Sequence, residues 1–145
     1  MAKELPRGIR NNNPLNIIIT DTPWQGKLDR EHNTDGKFEQ FKTLELGFRA
    51  AIINIRTMIK RDHIDTPAKL IAKWAPEQDP RQVENYIEYV CERSYIGRSD
   101  RLLYANKNQI CRLVHAMAEF ENGVRPADKE PYISFGRIEN AWAMI

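Results

Sequence analysis

The sequence predicts a single, mostly helical α+β domain, and three observations carry that expectation. From residue 43 onward, apolar side chains recur at helical spacing in separate segments, most of them opened by a capping residue. Residues 8–42 instead are rich in Asn, Gly, Asp and Thr around two short apolar bursts, the pattern of short strands joined by turns. The chain has 145 residues, 41% apolar and 29% charged, which suits one globular unit spanning residues 1–145. It contains no internal repeat, low-complexity tract or linker.

Each element follows from local signals. The bursts Leu15-Asn16-Ile17-Ile18-Ile19 and Lys37-Phe38-Glu39-Gln40-Phe41 predict a small, irregular β-hairpin region. Asn13-Pro14 favours extended backbone before the first burst, and Asp35-Gly36 supplies a turn before the second. Thr43 then caps a helix whose stripe is Phe48, Ala51, Ile52, Ile55 and Ile59, expected to be the central one. Thr66-Pro67 opens a short helix carrying Leu70, Ile71 and Trp74, with Pro76 expected to stop it. Asp79-Pro80, with Gln82 in capping-box position, opens a helix to about Arg93 on the stripe Val83, Tyr86, Ile87 and Val90. A turn of helix is expected at Leu102-Leu103-Tyr104, a long helix over Gln109–Glu121 capped by Asn122-Gly123, and a last short one over Ile138–Ile145.

Composition excludes several function classes. Lys and Arg number 22 against 20 Asp and Glu, a net charge of +2 that gives no reason to expect nucleic-acid binding. Cys91 and Cys111 have no Cys-x-x-Cys spacing and are expected as reduced, half-buried thiols. His32, His63 and His115 are isolated, no phosphate-cradling loop or Gly-x-Ser-x-Gly occurs, and no metal or cofactor is expected. No run approaches the roughly 18 apolar residues of a membrane span, so no membrane association is expected. No apolar segment follows the basic residues of Met1–Arg7, so a virion, a holin or a secretion machine is expected to carry the protein out of the cytoplasm to any wall target.

Helical arithmetic singles out one acid. At about 100° per residue, Ile110, Val114, Met117, Leu113 and Phe120 define the apolar face of the long helix. Glu121 falls in the middle of that face, whereas Glu119 falls opposite. Desolvation favours the neutral carboxyl and raises its pKa, as a general acid requires. Two structural alternatives stand beside this: fraying that frees Glu121 to water, or an ion pair with an arginine.

Amides and aromatics supply the other parts of a carbohydrate site. Asn11, Asn12, Asn13 and Asn16 crowd one turn, and amides both donate to and accept from sugar hydroxyls. Trp24, Trp74, Tyr86 and Tyr89 offer flat faces for sugar rings. Asparagines are equally common turn formers, and aromatics at helical spacing are commonly core.

The segments Gly8-Ile9-Arg10-Asn11-Asn12-Asn13-Pro14-Leu15-Asn16-Ile17, Trp24-Gln25-Gly26, Phe38–Phe41, Gly47-Phe48-Arg49-Ala50 and Trp74-Ala75-Pro76 resemble a family of small phage and prophage proteins. That family is described as virion structural proteins or lysozyme-like hydrolases, and the resemblance spans about residues 7 to 123. A second resemblance is to glucosaminidases of the lysozyme superfamily, in which a catalytic helix ending in Glu-Ser-Gly precedes an Asn-Asn strand, a Trp-x-Gly and a Phe-x-x-Tyr strand. Asn12-Asn13-Pro14-Leu15-Asn16-Ile17, Trp24-Gln25-Gly26, Phe38–Phe41 and Glu45-Leu46-Gly47 look like that series in the same order. Glu121-Asn122-Gly123 looks like the Glu-Ser-Gly end of the catalytic helix, displaced to the carboxyl side, while Asn16 stands where those enzymes have Gly. The resemblance implies a circularly permuted, lysozyme-like fold with Glu121 as the acid. Glu4 is the rival upstream acid.

The implied function is cleavage of peptidoglycan glycan strands, by a muramidase, glucosaminidase or lytic transglycosylase. In that reading Glu121 is expected to be catalytic, and Asn12, Asn13, Asn16, Trp24, Trp74 and Tyr86 are expected to bind substrate. Asp29, Glu31 and Asp35 are candidates for a second carboxylate, with Glu39 and Glu45 behind them. If none faces Glu121, a transglycosylase or substrate-assisted route is favoured. The alternative is a non-catalytic virion or wall-binding module with other virion proteins as partners. A third reading is an interaction domain using the acidic face Glu84/Glu88/Glu92.

Overall fold

A computed structural model describes residues 4–75 and 79–145. The expected helix stop at Pro76 and the residues Met1, Ala2 and Lys3 lie outside the described residues. Six helices follow in order: α1 Arg7–Arg10, α2 Leu44–Asp62, α3 Pro67–Trp74, α4 Pro80–Ser94, α5 Lys107–Asn122 and α6 Phe135–Ala143. The protein is mostly helical, and no helix of the described residues is long and apolar enough to cross a membrane.

The starts of α2, α3, α4 and α5 lie where a side chain satisfies the first free amides, whereas α1 and α6 have no side-chain cap. Thr43 accepts from Leu46 N, Thr66 from Lys69 N, and Asp79 from both Arg81 N and Gln82 N. The two prolines after Thr66 and Asp79 occupy first-turn positions that need no amide hydrogen. Asn106 also caps, accepting from Gln109 N, so α5 begins at Lys107, two residues before the expected start. The helix expected over Ile138–Ile145 runs instead from Phe135 to Ala143. Leu102-Leu103-Tyr104 forms no helical turn: Leu102 is fixed by a bond from its amide to Asp65 O, and only a turn follows at 104–105.

The α2 stripe of Phe48, Ala51, Ile52, Ile55 and Ile59 is buried as its spacing requires. Full burial of such aliphatic or aromatic side chains contributes about 1.5–3 kcal/mol each. The middle of the fold is nevertheless α5, which packs against α1, α2, α4 and α6, while α3 packs on α4 and α6 also packs on α2. Cys111 is buried in α5 and Cys91 is half-buried in α4, both as free thiols.

Residues 11–43 form a looped lobe with isolated bridges in place of a sheet among the described residues. Ile18 pairs antiparallel with Phe38, and Lys27 with Phe41. The alternation of a strand persists locally: Leu15 and Ile17 are buried and Ile18 is exposed. Asn12 and Asn16 interrupt longer ladders by taking left-handed backbone, at φ 52° and 54°. Asn13 replaces ladder bonds with side-chain ones. Its amide nitrogen donates to Ile17 O and Glu39 O, and its oxygen accepts from Ile17 N, all within 3.0 Å.

The lobe is seated on the helices by close backbone approach. Gly47 lies against the Asn12 carbonyl, and a Cβ there would meet that oxygen at 1.9 Å. A Cβ on Gly8 would meet the Asn122 side-chain oxygen Oδ1 at 2.5 Å, so α1 also lies close to the end of α5.

Candidate functional site

The end of α5 meets the asparagine turn, and Glu121 is the residue at their junction. Asn16 Nδ2 donates to Glu121 Oε2 at 2.9 Å, and the Tyr86 hydroxyl donates to Oε1 at 3.0 Å. The next residue, Asn122, donates from Nδ2 to Pro14 O at 2.8 Å and to Ala118 O at 2.9 Å. From the other side, Trp74 Nε1 donates to Leu15 O at 3.0 Å. Residues 14–16 are therefore held by side chains from α3 and α5, and α4 contributes Tyr86 to the same carboxylate.

Burial pushes the Glu121 carboxyl above its ordinary value, while the two hydrogen bonds from Asn16 and Tyr86 pull it partly back. Its place in the last turn of α5, at the negative end of the helix dipole, acts in the same direction as burial. Burial and the neighbouring carboxylate hold the Tyr86 hydroxyl far above its usual value, so it remains a donor. Among the described residues no cation pairs with Glu121; the nearby arginine, Arg93, pairs with Glu119 at 3.5 Å. Neither structural alternative weighed for Glu121 holds: the helix runs past it to Asn122, and it has no arginine partner among those residues.

Asn16 links this carboxyl to a neighbouring groove, whose lining among the described residues does not include Glu121 itself. A groove of about 410 Å³ is lined by Asn16, Ile17, Trp24 and Trp74 together with Met58 and Asp62 from α2. Trp74 has its ring fixed by the Leu15 bond, and Trp24 Nε1 is buried with no partner among the described residues. Asn16, Trp24 and Trp74 are thus brought together.

The other expected binding residues stand elsewhere. Tyr86 is fully buried and stacks on Phe120 with ring centroids 4.0 Å apart, so it offers no free face and instead holds Glu121. Asn13 is also fully buried, and its amide is saturated by backbone, which makes it a positioning residue. Asn12 donates to Phe41 O, and Asn11 is engaged with Asp35 and Gln40, so both serve the turn. Tyr89 donates to Glu119 Oε1 outside the groove, and burial together with that hydrogen bond pushes its hydroxyl up to about 12.

The candidate second carboxylates are either paired with a cation or exposed in the lobe. Asp35 is clamped by both arms of Arg7 at 2.7 Å and by Asn11, which holds its carboxyl well below the usual range. Glu39 is buried against Lys27 Nζ at 3.0 Å, and Glu45 is held by Arg137. Asp29 and Glu31 are exposed beside His32. Glu4 is largely exposed at 83% and pairs with Arg10, with none of the burial that marks Glu121.

The chain is similar to Protein P5 of Pseudoalteromonas phage PM2, with 36% identity over 126 residues that cover 85% of this chain and 75% of that protein. It belongs to the family of that phage protein. No family model matches. The phage relationship implied by the Gly8–Ile17 string is therefore present in a relative spanning most of the chain.

In this member of the P5 family, sequence reasoning missed the α2 and α3 wall of the groove: Asn54, Met58, Arg61, Asp62 and Lys73. The signal was available for part of it. Asn54, Met58 and Asp62 recur every four residues beside the buried stripe, which places them along one edge of α2.

Proposed function

We propose that this phage-family protein cleaves the glycan strands of peptidoglycan, with Glu121 as general acid in a circularly permuted, lysozyme-like arrangement. The observation that carries the proposal is the hydrogen bond from Asn16 to Glu121. It ties a desolvated carboxyl to the residue that lines a groove with two tryptophans. The tryptophan faces suit sugar rings, and the protonated carboxyl suits protonation of a glycosidic oxygen.

A single acid/base is the form of the reaction favoured here, because Asp35, Glu39 and Glu45 are each tied to a cation. Protonated Glu121 gives its proton to the leaving glycosidic oxygen as the C–O bond breaks and positive charge develops at the anomeric carbon. The resulting carboxylate then takes a proton from the attacking group, either water or a hydroxyl of the same sugar, and is restored to its acid form. Asn16 and Tyr86 stabilise the carboxylate between the two transfers.

Clearing of a purified peptidoglycan suspension by wild type and Glu121→Gln tests the reading, with folding checked by circular dichroism. Loss of the acid is expected to slow clearing by about 10²–10⁴-fold. Equal clearing by both proteins would move the acid elsewhere.

A non-catalytic module of the virion or of wall binding is the second reading. It is supported by membership in a phage protein family and by the fact that both Glu121 oxygens already have partners. No clearing by wild type on several wall types would favour it.

A further inference from the structure

A second groove, of about 310 Å³, lies on the outer side of α2. Arg56 and Lys60, one helical turn apart, point to the same side, with Thr57 between them. Tyr104 stands against both cations: the Arg56 guanidinium lies 5.6 Å and the Lys60 ammonium 4.7 Å from its ring centroid. Arg56 also lies 4.5 Å from the Trp142 ring on α6. Ile53 and Ile145 form the apolar walls.

The charge balance of this groove is incomplete. Among the described residues neither Arg56 nor Lys60 forms an ion pair, and Arg56 Nε is buried without a hydrogen-bond partner. Aromatic faces attract a cation but accept no conventional hydrogen bond from it, so the desolvated Nε–H stays unsatisfied. Arg61, which also borders the groove, is already committed to Asp62 at 2.9 Å. What is missing is an acceptor with negative charge, and two unpaired cations match the charge of about −1.5 to −2 on a phosphate group.

We infer that the Arg56/Lys60 groove is a binding site for a phosphate group. The guanidinium offers a planar fork to two oxygens, and the ammonium supplies a second, movable charge. The aromatic rings hold both cations in place before the ligand arrives, which lowers the entropy lost on binding. The site is separate from Glu121 and does not depend on the proposed cleavage reaction.

Titration of the isotope-labelled full chain with sodium phosphate, at ionic strength held constant with chloride, tests the inference through the Trp142 indole signal. A saturable shift is expected in wild type, with affinity weakened about tenfold in Lys60→Met. Lys60 is exposed, so this variant should keep the fold even if Arg56→Lys does not. A parallel titration with glycerol 2-phosphate separates two sources of the ligand. A saturable response to it assigns the site to phosphate carried on an organic body, and a response to inorganic phosphate alone assigns it to the free ion. A shift no larger than chloride produces, or an unchanged midpoint in Lys60→Met, would overturn the inference.

Discussion

Glu121 illustrates how much one side chain's environment decides. Its ordinary carboxyl pKa is 4.5, and burial raises it in the folded protein despite two donors. Between the unfolded and folded values, the folded state binds more protons than the unfolded state, so stability falls as pH rises through that window. Above the folded pKa the loss is complete and the dependence flattens. Urea unfolding of wild type and Glu121→Gln from pH 4 to 8 should therefore show wild type losing stability relative to the variant as pH rises from 4.5. The opposite slope would mean that the hydrogen bonds from Asn16 and Tyr86 outweigh desolvation. Asn13 carries the contrasting lesson: a polar side chain in the same turn is fully buried, and its amide serves the backbone alone.

The joining of elements depends on close approach as much as on apolar area. At Gly47 the α2 backbone lies so near Asn12 that a methyl group has no room, and the obstruction is a carbonyl oxygen, which cannot rotate away. Gly47→Ala is expected to lower stability by about 2–3 kcal/mol, read by thermal unfolding. Gly136, in the first turn of α6, faces open space, so Gly136→Ala should stabilise, by at most about 0.5 kcal/mol, through helix propensity. Opposite signs for the same substitution would locate the constraint at the lobe–α2 contact. α5 holds the centre, packed against α1, α2, α4 and α6. Its small and medium side chains Ala116, Met117 and Ala118 are buried where α5 runs between other helices.

At the scale of the whole molecule, the looped lobe and the helices share one apolar core, from Leu15 and Phe41 through α2, α4 and α5 to Ile138 and Ala141. Unfolding in urea should accordingly give coincident transitions by far-ultraviolet circular dichroism, which follows the helices, and by tryptophan fluorescence. Trp24 reports on the lobe, Trp74 on α3 and Trp142 on α6. Separate midpoints would divide the chain into two units.

The helices were legible because their signals are local. Thr43, Thr66 and Asp79 satisfy amides two or three residues away, and the apolar spacing of α2 and α5 states which face turns inward. The lobe was legible only as turns, since Asn12, Asn13 and Asn16 substitute side-chain bonds and left-handed backbone for a regular ladder, and no periodicity records that. For the same reason Asn11, Asn12 and Asn13 looked like ligand groups when their amides are engaged within the protein.

The sequence by itself determined where α2, α3 and α4 begin and that Glu121 lies on the buried face of α5, because capping and periodicity act over a turn or two of chain; it did not reveal α1. Tertiary structure alone decided that Asn16 meets Glu121 across 105 residues and that Trp74 reaches Leu15 across 59. It alone brought Asp62 and Lys73 to the same groove as the tryptophans. Those meetings depend on how packed helices close long loops, a balance of burial against chain entropy that no short stretch of sequence contains.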